Sequence, residues 1–223
     1  MTRTADTETL GLRERKKERT RELIADTARR LFLDRGFEAV TVAEIARTSD
    51  VSEKTVFNYF PAKEDLFYSR LEAFEDEMLE AVRARERGES VLDAFRRFVL
   101  QPRGVLAIES GKDGAEATER LLTITRVITE SPALLARERE VFARYTASLA
   151  ALIARETRSR PQDVEPSVAA NALIGVHRSL IDLVRARVLA GSSARAIARE
   201  LRAEGKRAFA LLEGGLGGYG VKR

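Results

Sequence analysis

Residues 52–60 read SEKTVFNYF. Wound as a helix at about 100° per residue, the stretch gathers Val56, Phe57 and Phe60 in one sector and Lys54, Thr55 and Asn58 in the opposite one. Ser52 and Tyr59 fall on the flanks. The apolar sector suits packing against neighbouring elements. The polar one presents a cation, a hydroxyl with its methyl, and an amide, side-chain types that read base edges in a major groove. A flank hydroxyl such as that of Ser52 or Tyr59 is better placed to meet a phosphate. Ser52 is also a favourable N-cap, and Pro61 keeps the helix from continuing.

The sequence upstream fits the same picture. Thr41-Val-Ala-Glu44 has the form of a capping box opening a second short helix, with Val42, Ile45 and Ala46 facing inward. Thr48-Ser49-Asp50 then breaks the pattern. A longer helix over 13–35 comes before it, with Leu23, Ile24, Thr27, Ala28, Leu31 and Phe32 on one face and Gly36 placed to end it. Two short helices joined by a polar turn and packed on a longer one form a helix-turn-helix. At the head of the long helix, RERKKERTR (13–21) carries six basic residues against two acidic ones. That run fits either a phosphate-following arm or a solvated face whose Glu14 and Glu18 make salt bridges along the helix. Lys63, in the first turn of the next helix, opposes the helix dipole, whereas a DNA phosphate there would meet both its ammonium and the free amides.

Beyond the head, apolar residues recur at helical spacing almost everywhere, and strand-like alternation is hardly present. The chain is expected to be all-α. The spacing predicts one long helix over 62–87 with Phe67, Leu71, Phe74, Met78 and Val82 on a stripe. Further helices are predicted at 91–100, 115–129, 132–157, 165–189 and 193–213, separated by Gly and Pro. This divides the chain into a disordered start (1–12), a helix-turn-helix head (13–63), a larger helical body (64–213) and a flexible glycine-rich tail (214–223). Small residues recur in the last two helices: Ala169, Ala172 and Gly175 in one, Ala194, Ala198, Gly205 and Ala208 in the other. They would allow close helix approach, either within the chain or in a homodimer bundle.

Composition narrows the functions available. The chain has 223 residues, no cysteine and one histidine, which excludes thiolate metal sites, disulfides and cysteine nucleophiles. Phosphate loops, nucleophile elbows and paired histidines are absent from the sequence, so no enzyme, metal or cofactor is expected. The start lacks a signal-type apolar stretch, and the apolar run at 169–176 is too short for a bilayer; a cytoplasmic protein without a membrane partner is expected. Phe95, Phe98, Leu122, Phe142, Tyr145 and Leu149, with Asn171 and His177 as polar anchors, could wall a cavity for a hydrophobic or amphipathic molecule. The same aromatics at helical spacing also fit plain core.

The helix and turn ARRLFLDRGFEAVTVAEIA, the turn-helix TSDVSEKTVFNYF and the following FPAKEDLF occur in an order and spacing that resembles the DNA-binding head of the TetR family of bacterial transcription regulators. The resemblance covers about 19–71. It implies an all-helical homodimer with small DNA-binding heads and a larger body that binds a small-molecule effector and dimerises, usually relieving repression when the effector binds. Carried over position by position, the DNA contacts implied are Thr41, Ser52, Lys54, Thr55, Asn58, Tyr59 and Lys63. Lys54 stands where the family often has glycine, so a long side chain replaces a close backbone approach. The alternative is a helical small-molecule-binding or scaffold protein that does not recognise specific DNA.

Overall fold

The computed structural model describes residues 3–69, 71–103, 105–107 and 114–222, and among them the regular elements are ten α-helices and a single 3-10 turn at 105–107. In chain order the α-helices are α1 (Arg3–Arg35), α2 (Val42–Thr48), α3 (Glu53–Tyr59), α4 (Lys63–Phe67), α5 (Leu71–Arg83), α6 (Val91–Val99), α7 (Gly114–Thr129), α8 (Pro132–Thr157), α9 (Glu165–Leu189) and α10 (Ala194–Leu216). The chain forms two compact units, one of residues 1–70 with 127–134 and one of 71–126 with 135–223.

In the first unit, α1 contributes Ile24, Ala28 and Phe32, all fully buried, to a core completed by Phe37, Val40, Ile45, Val56, Phe60, Leu66 and Leu134. Leu23, expected on that face, is exposed, because the buried stripe of a helix is narrower than a half-turn of apolar residues. The helix starts at Arg3 rather than near residue 13, so 3–12 are helical where disorder was expected. It ends at Gly36, whose amide donates to Phe32 O at 2.9 Å and whose φ is 84°. Nothing lies within 4 Å of a Cβ built there, so Gly36→Ala meets only the left-handed backbone penalty of about 1–2 kcal/mol. Thermal unfolding of the variant is expected to show that loss with an unchanged helical spectrum.

The predicted 62–87 helix is two helices. α4 ends at Phe67 and α5 begins at Leu71, and the unit boundary falls in that break, about seven residues later than the sequence suggested. Tyr68, just after α4, is buried and donates from its hydroxyl to Leu134 O at 3.2 Å. The α7–α8 turn therefore completes the first unit: Ser131 Oγ donates to Glu38 Oε1 at 2.6 Å and accepts from Leu134 N at 3.3 Å.

The second unit is built around Met78 and Val82 of α5, Leu92, Phe95 and Phe98 of α6, Tyr145, Leu149 and Ile153 of α8, Leu173 and Ile174 of α9, and Phe209 of α10. Ala169, Ala194, Ala198 and Gly205 are buried within this one chain, so much of the small-residue stripe serves intrachain packing. A Cβ built on Gly205 would lie 2.6 Å from Leu100 Cδ2, so any side chain there requires the end of Leu100 to move aside. α9 is the one described helix long and apolar enough to span a membrane by length and composition; its Ala170, Leu173, Ile174 and Leu180 are buried in the unit.

The segment expected to be a flexible tail is docked. α10 runs on to Leu216, and Tyr219 packs against the core. Lys222 then pairs its main chain with the α5–α6 loop, accepting from Gly88 N at 2.8 Å and donating to Glu89 O at 3.2 Å. Arg85, 3% exposed, holds this strap from below. Its guanidinium donates to Val82 O at 2.7 Å and Gly220 O at 2.8 Å and forms a salt bridge with Glu156. Gly220 has φ 63°, and a Cβ there would lie 2.8 Å from Val91 Cγ2; the glycine that reads as disorder is what lets the strap lie flat.

Candidate functional sites

The two short helices are fixed by their caps. Thr41 Oγ1 accepts from Glu44 N at 3.2 Å, which is half of the expected capping box. The Glu44 carboxylate turns instead to Arg35 at the end of α1. The turn after α2 closes with Asp50 N to Arg47 O at 3.3 Å and Val51 N to Ala46 O at 3.0 Å, with Asp50 at φ 55°. This bond pair is a Schellman closure with aspartate in the left-handed position glycine usually takes. Ser52 Oγ then accepts from Thr55 N at 3.1 Å and lies 2.8 Å from Thr55 Oγ1.

These caps orient α3. Val56 and Phe60 are buried at 0% and 2% exposure, whereas Phe57, expected in the core, is 47% exposed. A helix this short rests on its neighbours along a narrow stripe, and Phe57 lies at the edge of the apolar sector. Lys54, Phe57 and Asn58 thus form an exposed row, with Thr41 and Ser52 exposed as well. Thr55 and Tyr59 are half-buried, and the Thr55 hydroxyl is engaged with Ser52. Phe57 was missed because apolar character was read as burial; its position beside the Lys54–Asn58 face is the signal that could have found it. A groove of about 600 Å³ joins Asn58 and Tyr59 to Arg15, Lys17 and Arg21 of α1, with Glu14 and Glu18 on the same wall.

Lys63 is neither simply solvated nor free. Its Nζ donates to Phe37 O at 2.6 Å and lies 4.2 Å from the centre of the Phe37 ring and 5.8 Å from that of Phe32. Burial lowers its pKa from 10.5, partly offset by the charges of Glu38 and Glu64. It staples the start of α4 to the α1–α2 turn. Lys63→Met should keep the stem's packing and lose a charged hydrogen bond, costing about 1.5–3 kcal/mol, readable as a lowered urea midpoint.

In the second unit the residues proposed to wall a cavity separate into two groups. Phe95, Phe98, Tyr145 and Leu149 are close-packed core, none more than 2% exposed, and Leu122 is half-buried on α7. Phe142, also buried in that core at 8% exposure, and Asn171 border an open groove between α8 and α9. Asn171 is exposed and donates from Nδ2 to Ser167 O at 2.8 Å. His177 stacks on Phe74 at 4.9 Å and 15° and meets Phe142 edge-on at 6.0 Å. Burial first, and then the charge of Arg103, push its pKa down from 6.5 to about 4.

Comparison with known proteins agrees with this architecture. Residues 24–69 match the family model described as bacterial regulatory proteins, tetR family, and residues 89–216 match that of the MftR C-terminal domain. The chain is 35% identical over 131 residues to the HTH-type transcriptional regulator TcmR of Streptomyces glaucescens, spanning 56% of this chain and about half, 55%, of that relative. It is 26% identical over 169 residues to the mycofactocin biosynthesis transcriptional regulator MftR of Mycobacterium tuberculosis, spanning 73% and 78% of the two chains. The fold is similar to that of Salmonella enterica GusR, with a TM-score of 0.51 at 20% identity over 89% of this chain and 95% of that one. On these matches the chain belongs to the TetR family of bacterial regulatory proteins.

Proposed function

We propose that the chain is a transcriptional repressor that binds a palindromic operator as a homodimer and releases it when a small molecule occupies the second unit. The observation that carries this reading is the exposed row Lys54, Phe57 and Asn58 on a helix capped at Ser52 and held by buried Val56 and Phe60. Lys54 can donate to guanine, Asn58 can pair with adenine, and the Phe57 ring can meet a thymine methyl. Ser52, Thr41 and Tyr59 sit beside the row, where hydroxyls position the helix on phosphates. Lys63, held by Phe37 O, keeps donors for a phosphate at the start of α4. Thr55 supports the row by fixing Ser52.

For the dimer, the support is the outward edge of the last two helices: Val168 and Leu189 of α9 are 59% and 54% exposed and Leu211 of α10 is 85% exposed. Two copies joined there would carry two heads, as a palindrome requires. The chain crosses between its two units near residues 70, 126 and 134. A ligand that alters the second unit thus has several covalent routes to the first, in place of the one long helix predicted over 62–87. It shifts the population of DNA-competent conformers only by its differential affinity for them.

Gel shift on the chain's own upstream region, with half-site variants, tests the reading. Asn58→Ala and Lys54→Ala are each expected to cost about 1–3 kcal/mol and to relax preference at one base pair. Tyr59→Phe should weaken every sequence alike. Uniform losses for all three would remove the assignment of base reading, and a monomer by light scattering at working concentration would remove the dimer.

A further inference from the structure

Most arginines around the second unit's core have a carboxylate partner: Arg96 with Glu213, Arg97 with Glu89, Arg144 with Glu75, Arg185 with Glu138 and Arg187 with Glu200. Arg139 on α8 and Arg178 on α9 have none among the described residues, and both line one groove of about 380 Å³. No Asp or Glu lines it. An open groove of that size lies within the usual range for small-molecule clefts.

The groove is polarised along its length. Arg178 lies over the Phe142 ring at 5.6 Å, and Arg185 bonds Glu138 at 2.8 Å. As numbers rise on α8 they fall on α9, so the two helices run antiparallel. Arg139, Phe142 and Arg178 are therefore at one end, and Ala150 and Ser167 at the other. Ala143, Ala147 and Ala150 give a shallow apolar floor, and residues 139–150 span about 16 Å of helix. Asn171, with its Nδ2 committed to Ser167 O, lies between the ends and keeps an acceptor oxygen.

We propose that this α8–α9 groove binds an elongated amphiphilic small molecule whose anionic head is held by Arg139 and Arg178 and whose apolar body lies on Phe142 and the alanine floor. The assignment deepens the ligand-responsive reading above and rests on it only for its regulatory meaning. Two guanidiniums without a carboxylate partner at one end favour a carboxylate or comparable anion over a neutral group. The small floor accepts a body that a larger side chain would displace.

The chain's one histidine makes the test direct, because His177 touches the back of Phe142. The full-length protein is titrated with decanoate, with 2-naphthoate as a flat counterpart and decanol as an uncharged control, while the His177 ring resonances are followed by NMR. Saturable shifts are expected with at least one of the acids, and decanol should bind roughly tenfold more weakly or less. Arg139→Ala and Arg178→Ala should each weaken the acid by roughly tenfold, with unchanged unfolding midpoints. No saturable shift from either acid, equal binding of decanol, or undiminished binding by the double variant would each overturn the proposal. Operator binding is measured in the same samples. A His177 shift without DNA release leaves the site standing and removes the ligand-responsive reading. Release without a shift keeps that reading and removes this site.

Discussion

Arg85→Ala is expected to destabilise the second unit by about 3 kcal/mol, the lower end of what removing one partner of a buried ion pair costs. The guanidinium is buried and serves the Val82 and Gly220 carbonyls as well as Glu156. Its loss strands two backbone acceptors together with a carboxylate. At about 2–4 °C per kcal/mol for chains of this length, thermal scans should show a fall of roughly 6–12 °C. Limited proteolysis should then cut the chain near residues 217–222 before any other site. Arg85→Lys, which keeps the charge and loses the fork, should recover part of the loss. A variant whose midpoint and cleavage pattern match the parent would show that the strap is held by Tyr219 and the Lys222 main-chain pair alone.

The second large effect is a dependence on pH carried by one residue. His177 has a folded pKa of about 4 against 6.5 unperturbed, through burial and then Arg103. An imidazole with a depressed folded pKa takes its proton first in the unfolded chain, so acidification favours unfolding. The effect is absent well above pH 6.5, grows as pH falls and levels off below 4. By pH 5 it amounts to about 2 kcal/mol. Urea unfolding of the parent and of His177→Phe at pH 7 and pH 5 isolates it from the carboxylates, which both proteins share. The parent should lose that much more than the variant over the interval, and parallel losses would show that His177 charges freely in the folded state.

Much of the fold could be read because its signals are local. Ser52, Thr41, Ser90 and Ser193 cap the helices that their residue types announce, and Gly36 ends α1 where a left-handed residue was needed. The 62–87 stretch misled because its apolar stripe continues through the break. What ends α4 is Tyr68 reaching Leu134 O, a contact between residues far apart in sequence that no periodicity carries. Phe57 lies outside although its sector is apolar, because burial on so short a helix is decided by its neighbours; by the same logic Phe37 O draws the Lys63 stem partly inward. The polar face of α3 was legible as a set of residue types at one spacing. The α8–α9 groove was not, since Arg139 and Arg178 become a pair only when α9 folds back along α8.

The strap also orders events in time. Its anchors in the α5–α6 loop and at the end of α8 are made long before residues 219–222, and domains tend to fold from the N-terminus as synthesis proceeds. Until those last residues emerge, the Gly220 carbonyl that Arg85 needs does not yet exist, whereas every segment of the first unit is already available once residue 134 has been made. A nascent chain should thus present a finished head on an unfinished body, and a ribosome stalled short of residue 219 would leave a body that chaperones and proteases can still reach.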